Sequence, residues 1–135
     1  MKRLKIRAVR LVPVVVVMGA IFFLSHQPGD SLYMPPVLPG FDKIAHMAVY
    51  AVLAGAILYA FQPELASGRI LVPLLITVGI CFLYGLSDEF HQSFIPGRFV
   101  SAADLGADAL GSVIVCVVWL FCHRRKSPVL PASNS

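Results

Sequence analysis

The sequence predicts an all-α integral membrane protein, a four-helix bundle with both termini in the cytoplasm. Three observations carry that expectation. Apolar residues make up 58% of the 135 residues. Charged residues make up 13%, about half the share of a typical soluble domain. The apolar residues also gather into four runs, and mean hydropathy is +0.81.

The elements follow in order. Residues 1–10 are a basic N-terminal segment carrying Lys2, Arg3, Lys5, Arg7 and Arg10. Residues 11–122 form one four-span membrane domain. Its first run goes from Leu11 to Ser25, the second from Ile44 to Phe61, the third from Ile70 to Leu86 and the fourth from Leu105 to Cys122. Runs near 17–25 residues match a hydrocarbon core of roughly 30 Å. The first is short and holds Pro13, which a helix start tolerates because its missing N–H has no partner there anyway. None of the runs alternates with a period of two, so a membrane barrel is not indicated. A cleaved secretory signal is the competing reading of the first run, but no A-x-A site follows it and it reads as a retained anchor. Residues 123–135 form a tail, rich in Pro and Ser from Ser127 onward, and are expected to be disordered and cytoplasmic.

Basic residues orient the bundle. With both ends in the cytoplasm, nine of the eleven Lys and Arg residues lie on that side and only Lys43 and Arg98 on the other. The formal charge of +4 therefore reads as an orientation signal and an attraction to anionic headgroups. It does not read as a nucleic-acid surface, since no basic stretch is interleaved with aromatics. Cys81, Cys116 and Cys122 fall within or at the end of spans and include no C-x-x-C pair. They suggest apolar packing rather than a disulfide framework or thiolate zinc site. The chain is expected to be a multi-pass protein whose partner is the lipid bilayer.

In this topology the second span starts, the third ends and the fourth starts at the outer face. Every polar cluster lies at one of those ends. Ionisable groups at membrane depth cost roughly 2.5–3.5 kcal/mol each at a helix centre, so they require partners or a polar cavity. Asp42, His46 and Tyr50 are spaced i, i+4, i+8 along one helical stripe. Asp88 shares a face with His91 and Gln92, while Glu89 is turned by about 100° toward a different partner. Ser101, Asp104, Asp108 and Ser112 form a third stripe. The candidate catalytic groups are Asp42, His46, Asp88, Glu89 and Asp104. The candidate substrate-binding groups are Lys43, Tyr50, His91, Gln92, Arg98 and Asp108. The Pro96–Gly97 turn is expected to bring Arg98 back over the pocket as a lid. Small residues around Asp104, including Gly106, Gly111 and Ser112, are expected to let helices approach closely.

The segments Phe41-Asp42-Lys43-Ile44-Ala45-His46-Met47-Ala48-Val49-Tyr50 and Ser87-Asp88-Glu89-Phe90-His91-Gln92-Ser93-Phe94-Ile95-Pro96-Gly97-Arg98 are followed by Ser101, Asp104, Asp108 and Gly111. Together they resemble the VanZ-like membrane protein family over residues 11 to 122. Leu24-Ser25-His26-Gln27-Pro28 is similar to that family's end of the first span. At position 108 this chain has Asp where family members often carry Asn, which adds a potential charge. The resemblance implies the fold and the site more firmly than a reaction.

Three functions compete for the site. One is an enzyme acting on a lipid-linked or cell-envelope substrate, with carboxylates and His as acids and bases and Lys43 with Arg98 holding phosphate or carboxylate. A second, motivated by the family's association with teicoplanin resistance, is a binding or protective protein without chemistry. A third is ion handling: Asp88-x-x-His91 offers two ligands on one helix face, though it is no metal signature by itself. The cofactor is unknown from the sequence, and metal dependence is left open. Polar groups confined to one side give a transporter no path through the inner half. The sequence leaves oligomeric state open.

Overall fold

The computed structural model describes residues 6–28 and 40–124. All regular elements among them are helical. A single 3-10 turn at Ala8–Leu11 leads into α1 (Val12–Ser25). It is followed by α2 (Phe41–Ala60), a short α3 (Gln62–Ala66), α4 (Leu71–Gln92) and α5 (Ala102–Arg124). Four helical stretches, Ala8–Ser25, α2, α4 and α5, are long and apolar enough to cross a membrane.

The predicted runs match these helices to within two residues at the end away from the polar clusters, but at the other end α2, α4 and α5 are longer. α2 begins three residues before the predicted start, α4 continues six residues past Leu86, and α5 begins three before Leu105. Hydropathy marks where side chains meet hydrocarbon, whereas the backbone must keep its own hydrogen bonds until water is available. The polar clusters therefore lie on helices rather than in loops. α3 falls in the connection between the second and third runs, where Arg69 Nη1 donates to the buried Glu64 carboxylate at 2.9 Å. The tail from Ser127 and residues 29–39 of the first outer loop lie outside the described residues.

The apolar core runs down the bundle axis through Ile21 of α1, Leu53, Ala54, Ile57 and Leu58 of α2, Cys81 of α4 and Cys116 of α5. Val15, Val16, Phe23, Leu75, Leu83, Val118 and Phe121 face outward, as lipid-facing positions must in a solvent as apolar as they are. Cys122 also faces outward rather than into the core. α2 and α5 approach closely at Gly111. A Cβ built there would lie 2.2 Å from the Met47 carbonyl oxygen, so only glycine permits the contact.

Cross-links at each end set the helix order. Arg10 Nη1 donates to the Tyr59 carbonyl and to Gln62 Oε1, joining the start of the first span to the end of α2. Tyr84 of α4 donates to the Met18 carbonyl of α1 at 2.7 Å. At the opposite end from Arg10, the start of α2, the end of α4 and the start of α5 meet.

Candidate functional site

The polar residues assemble at that end from four helices. Gly40 (φ 86°) allows the left-handed turn that starts α2 and places Asp42 and Lys43 in its first turn. Lys43 Nζ donates to Asp42 Oδ2 at 2.8 Å and to Asp104 Oδ1. Asp104 stands in the first turn of α5, where the helix dipole favours an anion. One turn deeper on α2, His46 Nδ1 meets Asp108 Oδ1 at 3.0 Å.

Glu89 bridges α4 to the start of α5. Its Oε2 accepts the Ser101 backbone N–H at 3.0 Å. Ser101 Oγ in turn accepts the Ala103 N–H at 3.2 Å and caps α5. Ligand atoms of His46, Glu89 and Asp104 lie within 4.8 Å of one another.

Exposure falls steadily inward. The Asp42 side chain is 63% exposed, Lys43 35%, His46 20% and Asp108 1%. Tyr50 and Ser112 complete the buried floor. Three polar atoms in this region are fully buried without a hydrogen-bond partner: Tyr50 Oη, Glu89 Oε1 and Asp108 Oδ2. Each such group costs roughly 1–3 kcal/mol when left unpaired. Asp108 Oδ2 faces the bare Cα of Gly85, and a Cβ at that position would stand 2.9 Å from it.

A second polar cluster lies on the α1 side. Ser25 Oγ donates to Asp88 Oδ2 at 2.8 Å, and Gln92 Nε2 donates to the same oxygen at 2.9 Å. Ser25, Asp88 and Gln92 are all buried. Tyr50 is buried beside Tyr84 of α4, with ring centroids 6.4 Å apart.

These placements refine the predicted stripes. The α5 stripe of Asp104, Asp108 and Ser112 faces inward throughout, and Glu89 does turn to a partner other than that of Asp88. Asp42 does not follow His46 and Tyr50 inward: at the first turn of α2 it sits on the rim and pairs only with Lys43 among the described residues. His91 leaves the Asp88–Gln92 face and meets His26, ring nitrogen to ring nitrogen at 3.3 Å, with Phe22 against its edge. Arg98 does not fold over the pocket. Its Nη2 donates to the Leu24 carbonyl at 2.8 Å and its Nε to the Gln27 carbonyl at 3.2 Å, closing the C-terminal end of α1. That end has carbonyls unpaired within the helix, and a guanidinium satisfies them well.

The expectation of a pocket built from the second, third and fourth spans alone also needs correction, because α1 contributes Ser25 and His26. The signal was the polar pair Ser25-His26 closing an otherwise apolar run. A further concavity at the other end of the bundle, lined by Arg7, Arg10, Gln62 and Pro63, has Arg10 already engaged.

Comparison with known protein families yields a match over most of the chain. The model of the family described as VanZ/LLP1 covers residues 3–123. Neither a curated protein nor a solved structure matches the chain.

Proposed function

We infer that this chain, which belongs to the VanZ/LLP1 family and is a multi-pass membrane protein, receives the polar headgroup of a lipid-linked or cell-envelope molecule at the outer face of a bacterial inner membrane. The observation that carries this reading is the set of buried, unpartnered atoms on three helices, Tyr50 Oη, Glu89 Oε1 and Asp108 Oδ2. They sit beneath a rim that grows more exposed toward Lys43 and Asp42. A headgroup carries hydroxyl, amide or phosphate groups that pair with such atoms, while its acyl chains stay among the outward-facing apolar residues of the helices.

The chemistry available there is acid–base. Asp108 holds the His46 ring in one orientation, and Glu89 keeps one carboxylate oxygen free within reach of the same space. A carboxylate so placed can take a proton from a hydroxyl or water, and the imidazole can return one to a leaving oxygen. Lys43, at the rim, supplies a cation for phosphate or carboxylate.

The test compares strains with and without the gene, complemented by wild type, His46→Ala or Glu89→Gln. Membrane lipids and cell-wall precursors are read by mass spectrometry, with membrane insertion checked for each variant. Loss of the gene should alter one lipid or precursor pool, and only the wild type should restore it. Unchanged pools with altered teicoplanin susceptibility would replace this reading with the protective one.

A further inference from the structure

We propose that His46, Glu89 and Asp104 bind one divalent transition-metal cation, of the Zn²⁺ or Mn²⁺ class. Their ligand atoms come from three different helices and lie within 4.8 Å of one another. Metal–ligand bonds of about 2.0–2.2 Å place the donors of one ion within roughly 4 Å of each other, so small side-chain rotations close the set. One imidazole and two carboxylates suit a borderline or moderately hard cation.

Two independent features point to a ligand at this place. Glu89 is 4% exposed, and its Oε1 has no hydrogen-bond partner, while Oε2 is anchored by the Ser101 N–H. The carboxylate is thus held at one oxygen and offers the other. His46 is set up in the same manner. A neutral imidazole donating Nδ1–H to Asp108 Oδ1 at 3.0 Å presents the lone pair of Nε2. A carboxylate behind the ring is the arrangement that orients metal-bound histidines and raises their basicity.

Charge points the same way. Asp42, Glu89, Asp104 and Asp108 set four carboxylates against the single ammonium of Lys43, an excess of acidic groups that a divalent ion reduces. Lys43 already contacts both Asp42 and Asp104, so it can swing to the rim carboxylate as an ion takes Asp104. Three protein ligands leave positions open for water or an oxygen of a bound headgroup. An ion bound here takes Glu89 Oε1 and His46 Nε2, the atoms that the acid–base reading leaves free, so this inference rests on the same site; metal uptake and lipid-pool changes are separate readouts, and each can fail without the other.

The experiment uses the full chain in detergent, stripped with chelator and then dialysed against Zn²⁺ or Mn²⁺. Elemental analysis should give close to one ion per chain. Mn²⁺ electron paramagnetic resonance should show a bound signal that Zn²⁺ displaces, and the ion should raise the melting temperature. Glu89→Gln should abolish stoichiometric uptake. Asp108→Ala should weaken it by roughly 10–100-fold. Asp88→Asn, in the neighbouring cluster, should leave it unchanged. A wild-type protein that takes up no stoichiometric ion and shows no thermal shift, or a Glu89→Gln protein that binds as the wild type does, overturns the proposal.

Discussion

A methyl group on Gly111 would stand 2.2 Å from the carbonyl oxygen of Met47 and 3.0 Å from its carbonyl carbon. Both atoms are backbone, so no rotamer change relieves the clash and α2 must move away from α5. Overpacking of this kind costs typically 1–3 kcal/mol. Gly111→Ala should therefore lower the melting temperature in detergent and separate Lys43 from Asp104. Gly106→Ala is the control, since a Cβ there meets nothing within 4 Å. Gly85 presents the milder case. Its added Cβ would press on Asp108 Oδ2 at 2.9 Å and Leu105 Cδ1 at 3.2 Å, both side-chain atoms. Gly85→Ala should leave the bundle folded while turning the Asp108 carboxylate away from His46. Impaired function in lipid-profile complementation with near-normal thermal stability is the expected pattern. The abundance of small residues on α5 was legible in the sequence. Which of them is obligatory was not, because that depends on where a carbonyl of another helix lies.

At the scale of the element, α1 is held by polar ties as well as by apolar packing. Ser25 reaches Asp88, Arg98 takes the Leu24 and Gln27 carbonyls, and Tyr84 donates to the Met18 carbonyl. Ser25→Ala removes one of the two donors to a buried Asp88 oxygen, leaving Gln92 alone. The change should destabilise the protein by about 1–3 kcal/mol, read as a shifted unfolding midpoint in mixed micelles. Gln92→Ala should give a loss of similar size, since it removes the other donor. Sequence reasoning placed Arg98 over the pocket because the Pro96–Gly97 turn was expected to carry it back there. The acceptors it uses are main-chain carbonyls, which every residue carries and no sequence pattern distinguishes. The ends of α2, α4 and α5 were underestimated for a related reason: apolar composition stops where lipid contact stops, while the helices continue into the polar cluster.

Taken whole, the molecule separates two kinds of chemistry along its axis. One end carries the Arg10–Gln62 and Arg69–Glu64 pairs, and the other carries every described Asp and Glu except Glu64, together with His26, His46, His91, Lys43 and Arg98. That convergence was legible in the sequence from helix count and stripe spacing. The pairing of Lys43 with Asp104 and of His46 with Asp108 was not, because it depends on helix rotation and depth. The asymmetry of basic residues predicts that the polar end faces away from the cytosol, and the orientation can be tested directly. With Cys81, Cys116 and Cys122 replaced by Ala, a single cysteine at Phe99, which is 88% exposed in the loop beside the polar end, should react with a membrane-impermeant maleimide in intact cells. A single cysteine at the exposed Ala66, at the Arg10 end, should react only after permeabilisation. The reverse labelling would turn the site toward the cytoplasm and remove any outer-leaflet substrate. It would leave the three-residue metal site untouched, because those ligands are brought together by helix packing and not by the side of the membrane they face.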